Sequence, residues 1–324
     1  MTKPPVRYIV YIHDTQYNAF CTTAIRNEVS SDAEFIVYKE KIMNLIEVQG
    51  LCKNFKSFQL KDVSFTLEEG YIMGFIGRNG AGKSTTLKTM LNLLKNDGGS
   101  IELCGLSIPK DEVEIKNQVG YVFGGVDFYP EQKIKKITDI TRVFYKDWDD
   151  EFYNNLCDRF EIDQNKKFKQ LSAGMKVKYS LAVAMSHHPK LLLLDEPTSG
   201  LDPAARDDLV CMFQEFIEDG KHSILFSTHI TSDLEKCADF ITYIKEGRII
   251  STASKEDFKD RYLCVSGTKE QLTAENEAKI IGLHKHQLGF EGLIKIEDKE
   301  MAEKAGFEST KPNLEDIMVH IERR

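Results

Sequence analysis

Residues 77–85, Gly-Arg-Asn-Gly-Ala-Gly-Lys-Ser-Thr, constrain the chain more than any other stretch. They satisfy every position of the phosphate-cradling pattern G-x-x-x-x-G-K-[ST]. Tyr71 to Ile76 before them reads as a short buried strand, and Ser84 to Leu94 after them carries apolar residues at helical spacing. Strand, glycine loop and helix thus follow in the order such a loop requires. Gly77, Gly80 and Gly82 let the backbone N–H groups around Arg78, Asn79 and Ala81 turn inward on an anion. The helix that opens with Lys83, Ser84 and Thr85 adds the positive end of its dipole. Lys83 can reach the β and γ phosphates of a bound nucleotide, and the Ser84 hydroxyl can hold Mg²⁺.

The second landmark is Leu191-Leu192-Leu193-Leu194-Asp195-Glu196-Pro197. Four leucines in a row suit a strand buried on both faces of a parallel sheet, and the two carboxylates then fall at its carboxyl end, where such sheets bind ligands. In that place Asp195 would hold Mg²⁺, directly or through water, and Glu196 would activate or orient an attacking water. Ser223 to Thr228 reads as another buried strand that delivers His229 to the same edge. Between the two strands Ser199-Gly200-Leu201-Asp202 forms a turn, Pro203-Ala204 opens a helix, and Asp202 is placed to cap it.

Composition narrows the function classes. A net charge of −8 lacks the basic footprint of a nucleic-acid binder. No apolar run approaches the roughly 18 residues of a membrane-spanning helix. An acidic chain gains little from an anionic membrane surface, so membrane docking is expected to go through another protein. Seven cysteines without a C-x-x-C pair argue against a disulfide framework or a zinc site and for a reducing cytosol.

Residues 1–42 read unlike the rest, with a brief apolar patch at Arg7 to His13 and then a polar stretch without periodicity. The domain is expected to begin at Met43, with the preceding residues a disordered extension or an upstream translation artefact. From Met43 the alternation of Leu45 to Gln49 and of Leu60 to Leu67 predicts an antiparallel flap beside the phosphate loop. Phe55, on the connection, offers an aromatic face to a nucleotide base, with ordinary core as the other reading and Phe58 as the reserve. Beyond Ser254 the chain is charged. Its last segment places Leu314, Ile317, Met318 and Ile321 on one helix face behind Asn313 as N-cap, and Gly289 to Ile294 looks like a turn entering a strand.

Taken together, these landmarks resemble the ATP-binding subunit of an ABC transporter. The resemblance rests on the P-loop at Gly77 to Ser84, Leu171-Ser172-Ala173-Gly174-Met175 as signature motif, Asp195-Glu196, Ser199 to Asp202 as D-loop and His229 as H-loop, in family order over Met43 to about Ser254. It implies an α/β P-loop NTPase with a RecA-like core sheet, an antiparallel β flap and a helical subdomain at about 128–185. A small α+β accessory region over 255–324 would follow. It implies ATP and Mg²⁺ as cofactors, Glu196 and His229 as catalytic residues, and a second ATP-binding domain as partner. Ser172 and Gly174 of one domain would then face the γ-phosphate held by the other. Lys176 and Lys178 near the start of that signature helix oppose its dipole unless an anion comes close.

Two departures stand out. Ala173 and Met175 replace the first glycine and the glutamine of the family's usual LSGGQ, and Gly124 stands where a glutamine is expected after Val119-Gly-Tyr-Val-Phe123. The signature form and the C-terminal extension resemble the ATPases of ABC-2-type exporters, the group with bacterial acetoin, antibiotic and lantibiotic export systems. Such a subunit would sit at the cytoplasmic face of the membrane, bound to an integral-membrane permease. The alternative is a soluble ABC ATPase that acts as an assembly or scaffold factor, since the residue absent at Gly124 serves membrane coupling in the family. A GTPase is disfavoured, because Asn165-Lys166-Lys167-Phe168 lacks the aspartate of a base-reading N-K-x-D motif.

Overall fold

The computed structural model describes residues 7–12, 34–39, 43–124 and 129–323. The chain divides into two compact units, Met1–Met43 and Asn44–Arg324. In the first, β1 (Arg7–Ile12) pairs in parallel with β2 (Glu34–Lys39). The remainder of the expectation for residues 1–42 lies outside the described residues.

The second unit opens with β3 (Asn44–Asn54), β4 (Gln59–Glu68) and β5 (Ile72–Ile76), and continues through α1 (Lys83–Met90), β6 (Gly98–Leu103), β7 (Leu106–Ser107), α2 (Glu112–Gln118) and β8 (Val119–Phe123). Next come α3 (Ile134–Thr141), α4 (Asp150–Arg159), α5 (Ala173–Met185), β9 (Leu191–Asp195), α6 (Pro203–Ile217), β10 (Ser223–Thr228), α7 (Thr231–Cys237), β11 (Phe240–Lys245) and β12 (Arg248–Ser254). The C-terminal part comprises α8 (Lys255–Asp260), β13 (Tyr262–Gly267), α9 (Ala274–Glu277), β14 (Ile281–His286), β15 (Gly289–Lys295), α10 (Lys299–Ala305), β16 (Glu308–Thr310) and α11 (Leu314–Glu322).

The central sheet has the order β12-β11-β5-β10-β9-β8, parallel except for β12. Every residue of β5, β9 and β10 is buried, as strands covered on both faces must be. The apolar runs of β5 and β9 suit that burial, and the buried polar residues of β10 each have a partner: the Ser223 hydroxyl donates to Glu68 O at 3.0 Å, the Ser227 hydroxyl donates to Asp195 Oδ1 at 2.6 Å and Thr228 Oγ1 accepts from Ile230 N–H at 2.9 Å. By contrast β4 alternates buried and exposed positions, and it joins β3, β6 and β7 in the antiparallel flap that the alternation predicts. The first helix stops at Met90, short of the expected Leu94. Asn92 takes a left-handed φ of 56° and donates its side-chain amide to Glu112 at 2.5 Å, so the chain turns away just past the helix end.

Helices α3, α4 and α5 pack around an apolar cluster with a buried hydroxyl network inside it. Thr138 Oγ1 lies 2.8 Å from Tyr153 Oη and 3.1 Å from Tyr179 Oη. Each hydroxyl there replaces a lost water, which makes its burial tolerable. In the C-terminal part, an antiparallel sheet of order β14-β15-β13-β16 surrounds a satellite core of Val265, Ile280, Phe290, Ile294, Ala302 and Phe307. Leu293, Leu314 and Ile317 turn the other way and join the apolar cluster of the central sheet, with Ile72, Leu192 and Phe226.

Candidate functional site

Register places the site. Ser227 of β10 pairs with Asp195 of β9, Phe123 of β8 pairs with the same Asp195, and Thr228 pairs with Ile76 of β5. The residues that follow these strand ends, Glu196, Gly124, His229 and Gly77, therefore emerge on one edge of the sheet. This is the carboxyl edge, where parallel sheets bind ligands.

The glycine loop takes the shape its sequence implies. At Gly77 a Cβ would lie 2.3 Å from the Ile244 carbonyl oxygen, and at Gly82, with φ 118°, 2.7 Å from a Leu60 methyl. Neither position admits a side chain. Ser84 and Thr85 form the first turn of α1, whose leading N–H groups lack intrahelical acceptors. Lys83 is buried, and its ammonium donates to Gly77 O at 2.7 Å and Arg78 O at 3.4 Å. It also stands 3.4 Å from Glu196 Oε1. This buried cation is thus held by loop carbonyls and by the carboxylate across the cleft.

The acidic pair is supported from behind by a residue that the sequence patterns do not mark. The Ser227 hydroxyl donates to Asp195 Oδ1 at 2.6 Å, and the Glu196 N–H donates to Ser227 O at 3.0 Å. Ser227 is one of six buried residues in its strand, and its pairing with Asp195 becomes visible only through register. Glu196 itself adopts a φ of 52°, a conformation uncommon outside glycine and asparagine and a store of backbone strain. Its Oε2 lies 2.7 Å from His229 Nδ1, while Oε1 is buried with the Lys83 ammonium at 3.4 Å as its ion-pair neighbour and no hydrogen-bond partner among the described residues. The arrangement suits a carboxylate aimed at something outside the protein.

Gly124 lies against this pair. Its N–H donates to Asp195 O at 3.1 Å, and a Cβ built on it would lie 3.3 Å from that oxygen and 3.9 Å from Glu196 Cβ. A longer side chain at this position would start beside the two carboxylates.

Asp202 caps α6, accepting from Ala205 N–H at 3.0 Å, and this bond holds its carboxyl below the usual range. Ser172 caps α5, accepting from Met175 N–H at 3.2 Å. A Cβ at Gly174 would meet the Leu201 side chain at 2.9 Å, so signature loop and D-loop of one chain are in van der Waals contact. Lys176 and Lys178, which the sequence sets against the helix dipole, lie over the rings of Phe168 and Phe160 at 5.1 and 5.8 Å. Ring faces partly offset the charge that the dipole disfavours. Phe55 is 42% exposed, so it is not core; its ring centroid is 6.4 Å from that of Phe58.

A cleft of about 660 Å³ runs beside the glycine loop, lined by Phe58, Arg78, Asn79, His229, Met318 and Glu322 among others. Phe58 lines it and Phe55 does not, nor does any residue of the signature loop. Ser84 and Asp195 supply hydroxyl and carboxylate oxygens, the donor set a hard cation takes. No other group of acidic, histidine or cysteine residues among the described ones has the makings of a metal site.

The parallel sheet with its phosphate loop, acidic strand end and histidine defines a P-loop nucleotide-binding ATPase. Residues 60–199 match the ABC transporter domain family. The chain is 33% identical over 220 residues to the ABC transporter ATP-binding protein YtrB of Bacillus subtilis, a match that spans 68% of this chain and 75% of that one. It is also 29% identical over 265 residues to the bacitracin transport ATP-binding protein BcrA of Bacillus licheniformis, covering 78% and 84% of the two. A solved structure of an ATP-binding subunit of an ABC transporter superposes with a TM-score of 0.61 at 28% identity, over 66% of this chain and 92% of that one. The chain belongs to the family of ABC transporter ATP-binding proteins. It binds ATP and is an ATPase of that class.

Proposed function

We propose that the chain is the ATP-hydrolysing subunit of an exporter and drives a separate integral-membrane subunit by closing on a second ATP-binding domain around MgATP. The observation that carries this reading is the half-built site. Glycine loop and histidine line one cleft, and Glu196 touches both sides of it through Lys83 and His229, yet Ser172 and Gly174 of the same chain neither line it nor contact these residues. A second copy or a close relative would bring its own Ser172 and Gly174 to the phosphate held here.

Within each site the geometry supports the following roles. The loop N–H groups and Lys83 bind the β and γ phosphates, and Lys83 exchanges its contact with Glu196 for the nucleotide. Glu196, held by His229 and freed at Oε1, accepts a hydrogen bond from the attacking water and aligns it. His229 keeps that carboxylate oriented. Ser84 and Asp195 would hold Mg²⁺, which, when bound, neutralises phosphate charge. Phe55 and Phe58 offer ring faces to the base. Asp202, in the loop that touches Gly174, links the two half-sites. Little covalent chemistry falls to the protein, so positioning and charge carry the reaction.

Support for a membrane subunit comes from an exposed apolar group near the strand that leads to Gly124. Val143 and Phe144 are each 73% exposed. They precede Tyr145, which is stacked on His187 with ring centroids 4.0 Å apart. Exposed apolar groups of this kind mark contact surfaces. No described helix is long and apolar enough to cross a membrane, so the spanning part would be another chain, and this one would sit at the cytoplasmic face. The bacitracin-transport name of one relative favours a transport role over the scaffold alternative.

The test is Glu196→Gln with MgATP, examined by light scattering. A stable ATP-dependent dimer is expected, and a monomer at saturating nucleotide would overturn the proposal. Capture of the chain from gently solubilised membranes tests the second half. A stoichiometric partner with several long apolar helices is expected, whereas recovery from the soluble fraction alone would revive the scaffold reading.

A further inference from the structure

The last helix reaches back to the glycine loop. At its start, the Leu314 N–H donates to Glu235 Oε1 at 2.7 Å, on the helix that follows His229. Along its first turn, Leu314 and Ile317 are fully buried in the central core. At its end the Lys245 ammonium donates to the Ile321 carbonyl at 2.8 Å, satisfying a terminal carbonyl with a cation as helix C-termini favour. These three anchors fix α11 across the face of the nucleotide domain, and its Met318 and Glu322 form one wall of the cleft.

Glu322 is the unexpected member of that wall. Its carboxylate accepts from the Tyr243 hydroxyl at 2.5 Å, and Tyr243 pairs in register with Ile76, the residue just before the glycine loop. The side chain is only 14% exposed, so it is no mobile surface acid. Its other oxygen lies 3.9 Å from Arg78 Nε, while the Arg78 side chain is 69% exposed. A fixed negative charge thus stands at the mouth of a loop built to receive phosphates, and it engages the cation among the loop's variable positions.

We propose that Glu322 is a positioning residue that sets the nucleotide affinity of the cleft by holding Arg78 away from the phosphates. The inference rests on the phosphate-binding role proposed above for residues 77–85. A separation of 3.9 Å is a loose pair without a shared hydrogen bond, which a phosphate can compete for. While the pair persists, the guanidinium is neutralised and turned away from incoming anions. The C-terminal part therefore acts on the nucleotide through charge, without touching the reacting atoms.

The experiment measures affinities of the full-length chain for MgATP, MgADP and AMP, in wild type, Glu322→Gln, Arg78→Gln and the double variant. The Glu322→Gln change keeps an amide oxygen for Tyr243 and loses only the charge. It is expected to tighten MgATP binding about 2- to 5-fold, the scale of a partly exposed charge pair. The gain should fall in the order ATP, ADP, AMP, shrink in high salt, and vanish in the double variant. An affinity unchanged or weakened by Glu322→Gln, an equal gain for AMP, or a gain that survives Arg78→Gln overturns the inference. Failure of the wild type to bind MgATP at all would instead overturn the phosphate reading on which it rests.

Discussion

The nucleotide core and the C-terminal part are built from the same kinds of elements but store their information differently. In the core, residues that act together are close in sequence or follow consecutive strand ends, so Gly77 to Thr85, Asp195-Glu196 and His229 announce their chemistry through spacing. In the C-terminal part nothing does. Glu322, Tyr243 and Arg78 acquire meaning only when three distant segments meet, 79 residues separating Tyr243 from Glu322. A motif marks chemistry whose geometry is local, whereas control exerted through tertiary contact leaves no pattern to read.

The sharpest way to break this comparison is to remove a residue the motifs single out. Glu196→Gln should lower ATP turnover by about 10²- to 10⁴-fold, the range for loss of a positioned general base, with ATP binding retained. Phosphate-release assays at saturating nucleotide read the effect, and full residual activity would show that the motif misidentifies the base.

Next is a residue with no motif. Ile317→Ala removes a fully buried side chain from the cluster that the last helix shares with the central sheet. It should cost about 2–5 kcal/mol, seen in urea unfolding as one cooperative transition at lower denaturant. Two separate transitions, with the core midpoint unmoved, would mean that the C-terminal part is an independent appendage.

A smaller effect tests the buried edge of the core. His187 is buried and stacked on Tyr145, and its ring nitrogens have no hydrogen-bond partner among the described residues. Burial pushes its pKa down to about 4. Because the folded pKa lies below the unfolded one of about 6.5, the unfolded chain binds the proton first as pH falls. The stability contributed by the neutral ring is complete above about pH 6.5 and is lost progressively as pH falls toward about 4. The slope is of order 1 kcal/mol per pH unit. Urea midpoints at about pH 7 and pH 5, on either side of the unfolded-state value, should therefore differ less in His187→Phe than in the wild type, and equal differences would rule the histidine out. The smallest effect sharpens the D-loop. Asp202→Ala removes an N-cap and should cost about 1 kcal/mol, and an unchanged midpoint would show that Pro203 alone suffices to start α6.

Much of the site is legible in the sequence itself. The phosphate loop, the leucine-rich strand with its carboxylates, the cap at Asp202 and the C-terminal helix behind Asn313 are local patterns, and Asn313 does accept from Asp316 N–H at 2.8 Å. What stays hidden depends on register or on contacts between distant segments. Ser227 reads as one more strand residue until pairing sets it beside Asp195. Gly174 reads in the sequence only as a residue facing a phosphate, and its packing against Leu201 shows only in the fold. Lys176 and Lys178 look misplaced on a helix until Phe168 and Phe160 are found beneath them. The end of α1 is overrun in a reading by periodicity because Leu93 and Leu94 continue the apolar spacing, and only the turn at Asn92 stops it.

The left-handed backbone at Glu196 narrows what inheritance can do at this position. Asparagine and glycine adopt such a conformation with ease, but each discards the charge. Aspartate keeps the charge and tolerates the backbone, yet draws the carboxylate back by one methylene from a histidine now 2.7 Å away. Every replacement that would relax the chain disarms it, so descendants of this sequence are held to glutamate by two independent demands.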